Sequence, residues 1–215
     1  MRITETFYSI QGEGRRAGIP TSFVRTTGCH LRCSWCDASY TFTGGHDETL
    51  DQLMDWLAEQ PTQEVCFTGG EPLLQKEAWP FVHRMLDEEY RVLIETAGNL
   101  DFTGADEHPK RDALCISMDI KCPSSGEDGK NTPERLHELR PSDQLKFVIA
   151  DRTDYDYAVN ILRDLGFPAC PVYFNPVGGV EPKHLTEWIL GETEPLPVRV
   201  GVQIHKLVWG DEPGR

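Results

Sequence analysis

Thr49-Leu50-Asp51-Gln52-Leu53-Met54-Asp55-Trp56-Leu57-Ala58-Glu59-Gln60-Pro61-Thr62-Gln63-Glu64-Val65-Cys66-Phe67-Thr68-Gly69-Gly70 carries one complete helix-to-strand unit. Leu50, Leu53, Met54 and Leu57 fall at i, i+3, i+4 and i+7, so one helical face is apolar. Thr49 with Gln52 three residues later has the form of a capping box, which fixes the helix start, and Pro61 ends it. Val65-Cys66-Phe67 then reads as a short buried strand, and Thr68-Gly69-Gly70 as the turn at its carboxyl end.

The same alternation runs outward in both directions. Phe23-Val24-Arg25, Val92-Leu93-Ile94, Leu114-Cys115-Ile116, Phe147-Val148-Ile149, Val172-Tyr173-Phe174 and Val200 to Ile204 are further strand candidates. Helices are expected around Val82, Met85 and Leu86, from Tyr155 through Leu162 to a stop near Gly166, and around Leu185, Trp188 and Ile189 with Pro182 in the first turn. Strands alternating with helices imply parallel pairing through right-handed crossovers, with ligands at the carboxyl ends of the strands. The stretch from Ile94 to Leu114 has no helical period. The expected fold is therefore an α/β partial, incomplete barrel of about six parallel strands. It carries a reduced helical layer and an N-terminal hairpin from Ile3 to about Thr26.

Composition narrows the function. The chain has 215 residues, 39% of them hydrophobic, which suits a single domain spanning 1–215. Thirty-five acidic against 21 basic residues give a net charge of -14, a surface that repels nucleic acid. No apolar run reaches the roughly 20 residues that cross a bilayer, and Met1 to Glu5 does not open like a signal peptide. A cytoplasmic protein without membrane or nucleic-acid partners is expected, and in that reducing compartment clustered cysteines point to metal binding or catalysis. Cys66, Cys115 and Cys170 lie in apolar surroundings and are expected in the core, while the role of Cys122 is open.

The clustered cysteines are Cys29, Cys33 and Cys36, on a loop directly after the first core strand. Three closely spaced thiolates and no fourth suit one corner of an iron-sulfur cluster with one iron open to a ligand. The competing reading is a zinc site in which His30 completes a Cys3His set, a binding module and not an enzyme.

With Trp35 at the aromatic position, Cys29-x3-Cys33-x-Trp35-Cys36 resembles the signature loop of the radical S-adenosylmethionine superfamily. The resemblance implies a 4Fe-4S cluster on Cys29, Cys33 and Cys36 whose open iron is chelated by S-adenosylmethionine. It also implies reductive cleavage to a 5'-deoxyadenosyl radical. Gly69, Gly70 and Glu71 resemble the segment lining the methionyl amine, and Glu95-Thr96-Ala97-Gly98 a cofactor-contacting segment in which Ala97 replaces serine. By the same resemblance Trp35, Thr96, Ser117, Lys121 and Asn175 contact S-adenosylmethionine, Ser117 and Lys121 on the ribose side and Asn175 near the adenine.

Gln11-Gly12-Glu13-Gly14 narrows the likeness to the 7-carboxy-7-deazaguanine synthase family, and segments in matching order extend it to Gln203-Ile204-His205-Lys206. That family contracts 6-carboxy-5,6,7,8-tetrahydropterin to 7-carboxy-7-deazaguanine with loss of ammonia, in queuosine precursor synthesis. Gln11, Gly12, Glu13, Gly14, Arg25, Gly98 and His205 are the implied substrate contacts, Arg25 as the bidentate partner of the carboxylate. The likeness also implies an external one-electron reductant of flavodoxin or ferredoxin type, a homodimer, and Mg2+. The usual Thr or Ser magnesium ligand is Ala38 here, which leaves Asp37 and Ser39 as candidates. The tail after Lys206 is longer than in members that place a terminal carboxylate on the substrate. A glycyl radical enzyme activase, which has the same cysteine spacing but no need of the Gln11 to Gly14 and His205 motifs, is the alternative enzyme.

Overall fold

The structure, a computed structural model, describes residues 1–178 and 180–210. One nine-stranded sheet organises it, and its strands are β1 (Arg2–Ile10), β2 (Pro20–Thr26), β3 (His46–Asp47), β4 (Glu64–Gly69), β5 (Arg91–Thr96), β6 (Leu114–Ile120), β7 (Gln144–Ile149), β8 (Val172–Pro176) and β9 (Val198–Val200). The spatial order is β3-β1-β2-β4-β5-β6-β7-β8-β9. From β2 to β9 every pairing is parallel, while β1 pairs antiparallel with both β2 and β3. The sheet is open, as expected, and β1 with β2 is the N-terminal hairpin. Seven strands run parallel where about six were expected.

Helices α1 (Leu50–Ala58), α2 (Ala78–Asp87), α3 (Arg152–Leu165) and α4 (Pro182–Leu190) follow the apolar periods read from the sequence. The capping box at α1 is complete: Gln52 N donates to Thr49 Oγ1 at 3.2 Å and Thr49 N to Gln52 Oε1 at 2.8 Å. Leu53, Met54 and Leu57 of α1 and Phe81, Val82, Met85 and Leu86 of α2 are buried, each worth about 1.5–3 kcal/mol of transfer free energy. Between β5 and β6, and again between β6 and β7, the chain makes only 3-10 turns. There Phe102, Ala105, Leu136 and Leu139 cover the sheet in place of a helix.

Strand parity divides the sheet into two faces. Val65, Phe67, Val92, Ile94, Leu114, Ile116, Leu145 and Phe147 pack against the helices. The opposite positions Phe23, Cys66, Leu93 and Cys115 are neighbours in register across four strands and, with Phe7, form a second apolar cluster. One step toward the carboxyl ends, that inner face turns polar: Arg25 stands beside Thr68, Glu95 beside Ser117, Ser117 beside Gln144, and Asp119 beside Lys146. An apolar floor thus carries a polar layer. Cys66, Cys115, Cys122 and Cys170 are all buried, which settles Cys122 as a core residue.

One element departs from expectation. The run from Val200 to Ile204 is not a strand: β9 ends at Val200 and Ile204–Trp209 is a helix, α5. Tertiary contact decides this, because Ile204 N donates to Gly12 O at 2.9 Å and draws the chain away from the sheet toward the loop after β1. The tail beyond Gly210 lies outside the described residues. No helix among the described residues is long and apolar enough to cross a membrane.

Candidate active site

A cavity of about 230 Å³ opens at the carboxyl ends of the parallel strands and draws its lining from both end motifs, the cysteine loop and β4, β5, β6 and β7. Its lining includes Cys29, Cys33, Trp35, Cys36 and Asp37 from the loop after β2, and Gly69 and Gly70 from the end of β4. Thr96, Ser117 and Lys121 line it from the ends of β5 and β6, Arg25 from β2, and Gln11, Gly12, Glu13 and His205 close the far side.

The cysteine loop is held from two directions. Glu71 N donates to Gly28 O at 2.9 Å, and a side chain at Gly70 would overlap the Gly28 carbonyl, so only glycine lets β4 approach the loop this closely. On the other flank Ser34 N donates to Ser125 O at 2.9 Å and Trp35 Nε1 to Ser124 Oγ at 3.0 Å. Ser124 is fixed in turn by the buried carboxylate of Asp154, to which it donates both N–H and hydroxyl. Burial pushes the Cys33 and Cys36 thiols up, with Lys121 opposing this at Cys33. Thiolates here therefore depend on a positive partner. His30 does not join the cysteines: its Nε2 pairs with Asn99 Oδ1 at 2.9 Å, and it does not line the cavity. Among the described residues no three His, Cys, Asp or Glu side chains converge as ligands of one metal ion, and the zinc reading lacks its fourth ligand because His30 is paired with Asn99.

Five expected contact residues do not line the cavity. Glu71 is buried, with Thr96 Oγ1 and Ala97 N each donating to it at 2.8 Å and Leu73 N at 3.2 Å. Both oxygens are thereby used in tying the ends of β4 and β5 together, and burial raises its pKa despite those donors. Gly98 packs on Met118 and Gly14 on Gln144. Gln144 Nε2 then donates to Ser117 Oγ at 2.9 Å, so Gly14 supports a wall residue without reaching the space itself. Asn175 is 1% exposed against Gly201, with neither amide atom hydrogen bonded among the described residues, and Ser39 is exposed.

At the far side, Gln11 Nε2 donates to Glu95 Oε1 at 3.1 Å and Gly12 N to Gln11 Oε1 at 2.8 Å. Glu13 receives Lys146 Nζ on Oε2 at 2.9 Å and Gln203 Nε2 on Oε1 at 2.7 Å. Burial opposes its ionisation, yet Lys146 prevails and its pKa is lowered. The His205 ring lies directly on Gly12, where any side chain would overlap it. Burial lowers the His205 pKa, with Glu13 opposing, so the imidazole is neutral at pH 7. Arg25 Nε donates to Glu5 Oε1 at 2.8 Å, and its guanidinium lies 5.6 Å from the Phe7 ring centroid and 6.0 Å from that of Tyr40.

Sequence reasoning passed over Glu95, Asp119, Lys146 and Gln203 as individual site residues, yet all four line the cavity. For Glu95, Asp119 and Lys146 the available signal was a charged residue inside an apolar strand, as in Leu145-Lys146-Phe147, at the parity that faces the inner side, whereas Gln203 lies outside the strands and carried no such signal.

Residues 23–115 match the sequence profile described as the Radical SAM superfamily. The 7-carboxy-7-deazaguanine synthase of Thermoplasma acidophilum is 41% identical, covering 100% of both chains. The 7-carboxy-7-deazaguanine synthase of Koribacter versatilis is 40% identical over 99% of this chain and 98% of its own. Among solved structures, QueE from Escherichia coli superposes with a TM-score of 0.74 at 19% identity, covering 94% of this chain and 93% of that one, a likeness of fold. With full-length identity at this level, the chain belongs to the 7-carboxy-7-deazaguanine synthase family of the radical SAM superfamily.

Proposed function

We propose that this chain, acting over 1–215 as one catalytic domain, contracts 6-carboxy-5,6,7,8-tetrahydropterin to 7-carboxy-7-deazaguanine with release of ammonia. The observation that carries the reading is a single cavity with three cysteines at one end and a set of ring-reading groups, Gln11, Glu13, Arg25 and His205, at the other. Relatives bearing the synthase name over their full length support it against the activase alternative.

The family implies a 4Fe-4S cluster and S-adenosylmethionine, and the residues present fit both. Three soft sulfur donors face a shared space without converging on a point for one ion. In the same wall Asp119 Oδ1 is buried and has no hydrogen-bond partner among the described residues, an acceptor left over for a ligand donor. When bound, these groups supply one-electron cleavage of the sulfonium and the hydrogen-abstracting 5'-deoxyadenosyl radical.

Cys29, Cys33 and Cys36 would hold the cluster, while Trp35, Gly69, Gly70, Thr96, Ser117 and Lys121 would border the cofactor. Glu71 and Asn175 would act from outside this lining. Arg25, oriented by Glu5, would pair with the substrate carboxylate, which a flexible lysine would grip less well. Glu13 and Glu95 present acceptors to N–H groups of the ring, and neutral His205 a ring nitrogen. Phe7, Phe23 and Leu31 exclude water from the same space.

Magnesium fits less well. Ala38 offers a methyl group, Ser39 does not line the cavity, and Asp37 already faces Lys206 Nζ at 4.0 Å, so no step is routed through the ion. A homodimer and an external reductant of flavodoxin or ferredoxin type complete the proposal on family grounds.

Anaerobically reconstituted protein, given reductant, S-adenosylmethionine and the pterin, is expected to yield 7-carboxy-7-deazaguanine. Cys29→Ala, Cys33→Ala and Cys36→Ala combined should abolish both the brown iron-sulfur spectrum and the product. An intact cluster with cofactor bound but no product overturns the assignment.

A further inference from the structure

Lys146 is a buried cation in the cavity wall for which the reading above has no task. It stands on β7 in register with Asp119 of β6, its Nζ 2.9 Å from Glu13 Oε2 and 3.7 Å from Asp119 Oδ2. Asp119 Oδ2 also receives Lys121 Nζ, at 2.9 Å. The four side chains form an alternating ladder, Glu13, Lys146, Asp119, Lys121, that crosses the cavity floor from the ring-reading end to the cysteine loop. Each is at most 14% exposed, so these contacts are little screened by solvent.

The ladder is not symmetric. Among the described residues Asp119 has two lysines, whereas Glu13 has Lys146 as its one ion-pair partner and the neutral Gln203 amide on its other oxygen. Removing Lys146 would leave Asp119 still paired and Glu13 buried without a cation. The other charged groups bearing on this pair are His205 from α5, Glu95 from β5, and Asp119 with Lys121 at the end of β6. Lys121 is held by Asp119 at 2.9 Å, Glu95 and Asp119 act on Lys146 as carboxylates, and burial keeps the His205 pKa down, so Lys146 is the cation that holds Glu13.

With one donor on each oxygen, the Glu13 carboxylate keeps its remaining lone pairs for a ligand. A fixed carboxylate accepts two adjacent N–H donors as a charge-assisted pair and disfavours a ring that presents an acceptor in the same place. We propose that Lys146 is a positioning residue: it fixes Glu13 as an oriented carboxylate, so that the cavity selects rings presenting paired N–H donors, as the amino-amide edge of a pterin does. This rests on the pterin reading proposed above.

The test compares wild type, Lys146→Met and the double variant Lys146→Met/Glu13→Gln as cluster-loaded protein. Equilibrium affinities for 6-carboxy-tetrahydropterin and for S-adenosylmethionine are measured separately, from about pH 6.5 to about pH 8.5, a window above ordinary carboxylate titration. Each variant affinity is divided by that of wild type, which cancels titration of the ligand. Lys146→Met is expected to weaken pterin binding about tenfold or more, the loss of a charge-held acceptor. S-adenosylmethionine affinity and the cluster spectrum should be unchanged. Burial then pushes Glu13 up with no cation to oppose it, so the carboxylate is lost as pH falls through the raised value and the deficit deepens toward the acid end.

The double variant lacks the Glu13 carboxylate, so its ratio should be low and flat with pH; a slope present in Lys146→Met and lost in the double variant is what a merely structural role for Lys146 would not produce. Lys146→Gln, which still offers a hydrogen bond, replaces the methionine variant if that does not fold, with the same expected and overturning results. A pterin affinity equal to wild type with a flat ratio overturns the positioning role and leaves the proposed function standing. Wild type that binds S-adenosylmethionine but no pterin overturns both.

Discussion

Glu71 shows how a residue type and a residue's job can part company. A carboxylate after two glycines suggests a partner for a cationic amine, but Glu71 does not line the cavity, and Thr96 Oγ1, Ala97 N and Leu73 N donate to its two oxygens. It acts as a buttress between two strand ends. Glu71→Ala would strand three donors in a buried place, each costing about 1–3 kcal/mol when unmade, and local relaxation would recover part of that. We expect about 3 kcal/mol of lost stability in urea unfolding, together with weaker S-adenosylmethionine binding, since Thr96 and Ala97 would no longer be fixed in the wall. Stability within 1 kcal/mol of wild type, measured the same way, would show that Glu71 is no buttress.

Between elements, the decisive contact is that of the cysteine loop with the end of β4. Gly70 lies where a methyl group would overlap the Gly28 carbonyl, a backbone atom with little room to yield because Gly28 N is itself bonded to Thr41 O at 2.8 Å. Gly70→Ala should therefore displace the loop that carries Cys29 while leaving α1, α2 and the apolar floor intact. The expected outcome is iron content per chain reduced at least about threefold after reconstitution, with far-ultraviolet circular dichroism unchanged, since strain of this kind costs roughly 1–3 kcal/mol locally. Full iron content in that variant would mean that the loop adapts. The same scale explains the incomplete helical layer. The long connections after β5 and β6 cover the sheet with isolated apolar side chains on 3-10 turns, and the second of them supplies Ser124 and Ser125, which hold Ser34 and Trp35.

Across the whole molecule, the parallel sheet is pinned on its amino-terminal side by one fully buried ion pair. Asp143 accepts Arg111 Nη2 at 2.6 Å, Ile116 N at 2.8 Å and Arg140 N at 2.8 Å, which joins the start of β7 to β6. Asp143→Ala takes one of its two carboxylate partners from Arg111, whose Nε keeps Asp106 Oδ1 at 3.0 Å, and strands the N–H groups of Ile116 and Arg140 at about 1–3 kcal/mol each, so about 3 kcal/mol of destabilisation is expected. Thermal unfolding should show it as a lower midpoint for the entire cooperative transition, and a midpoint unchanged from wild type would place the pin elsewhere. At this scale the chain also shows what its sequence fixes alone. The cysteine spacing, the capping box of α1 and the apolar periods of four helices are local, and each could be read because its partners lie within a few residues. The alternation of strand and helix then leaves little but a parallel sheet with ligands at its carboxyl edge. Which polar side chains enter the cavity is another matter, since it depends on strand parity and on where loops cross. Lys146, Asp119 and Glu95 enter, whereas Glu71, Gly98 and Asn175 do not line it. The shift of Ile204 from strand to helix has the same origin: its partner, Gly12, lies almost the full length of the chain away, and only the folded molecule brings the two backbones within hydrogen-bonding distance.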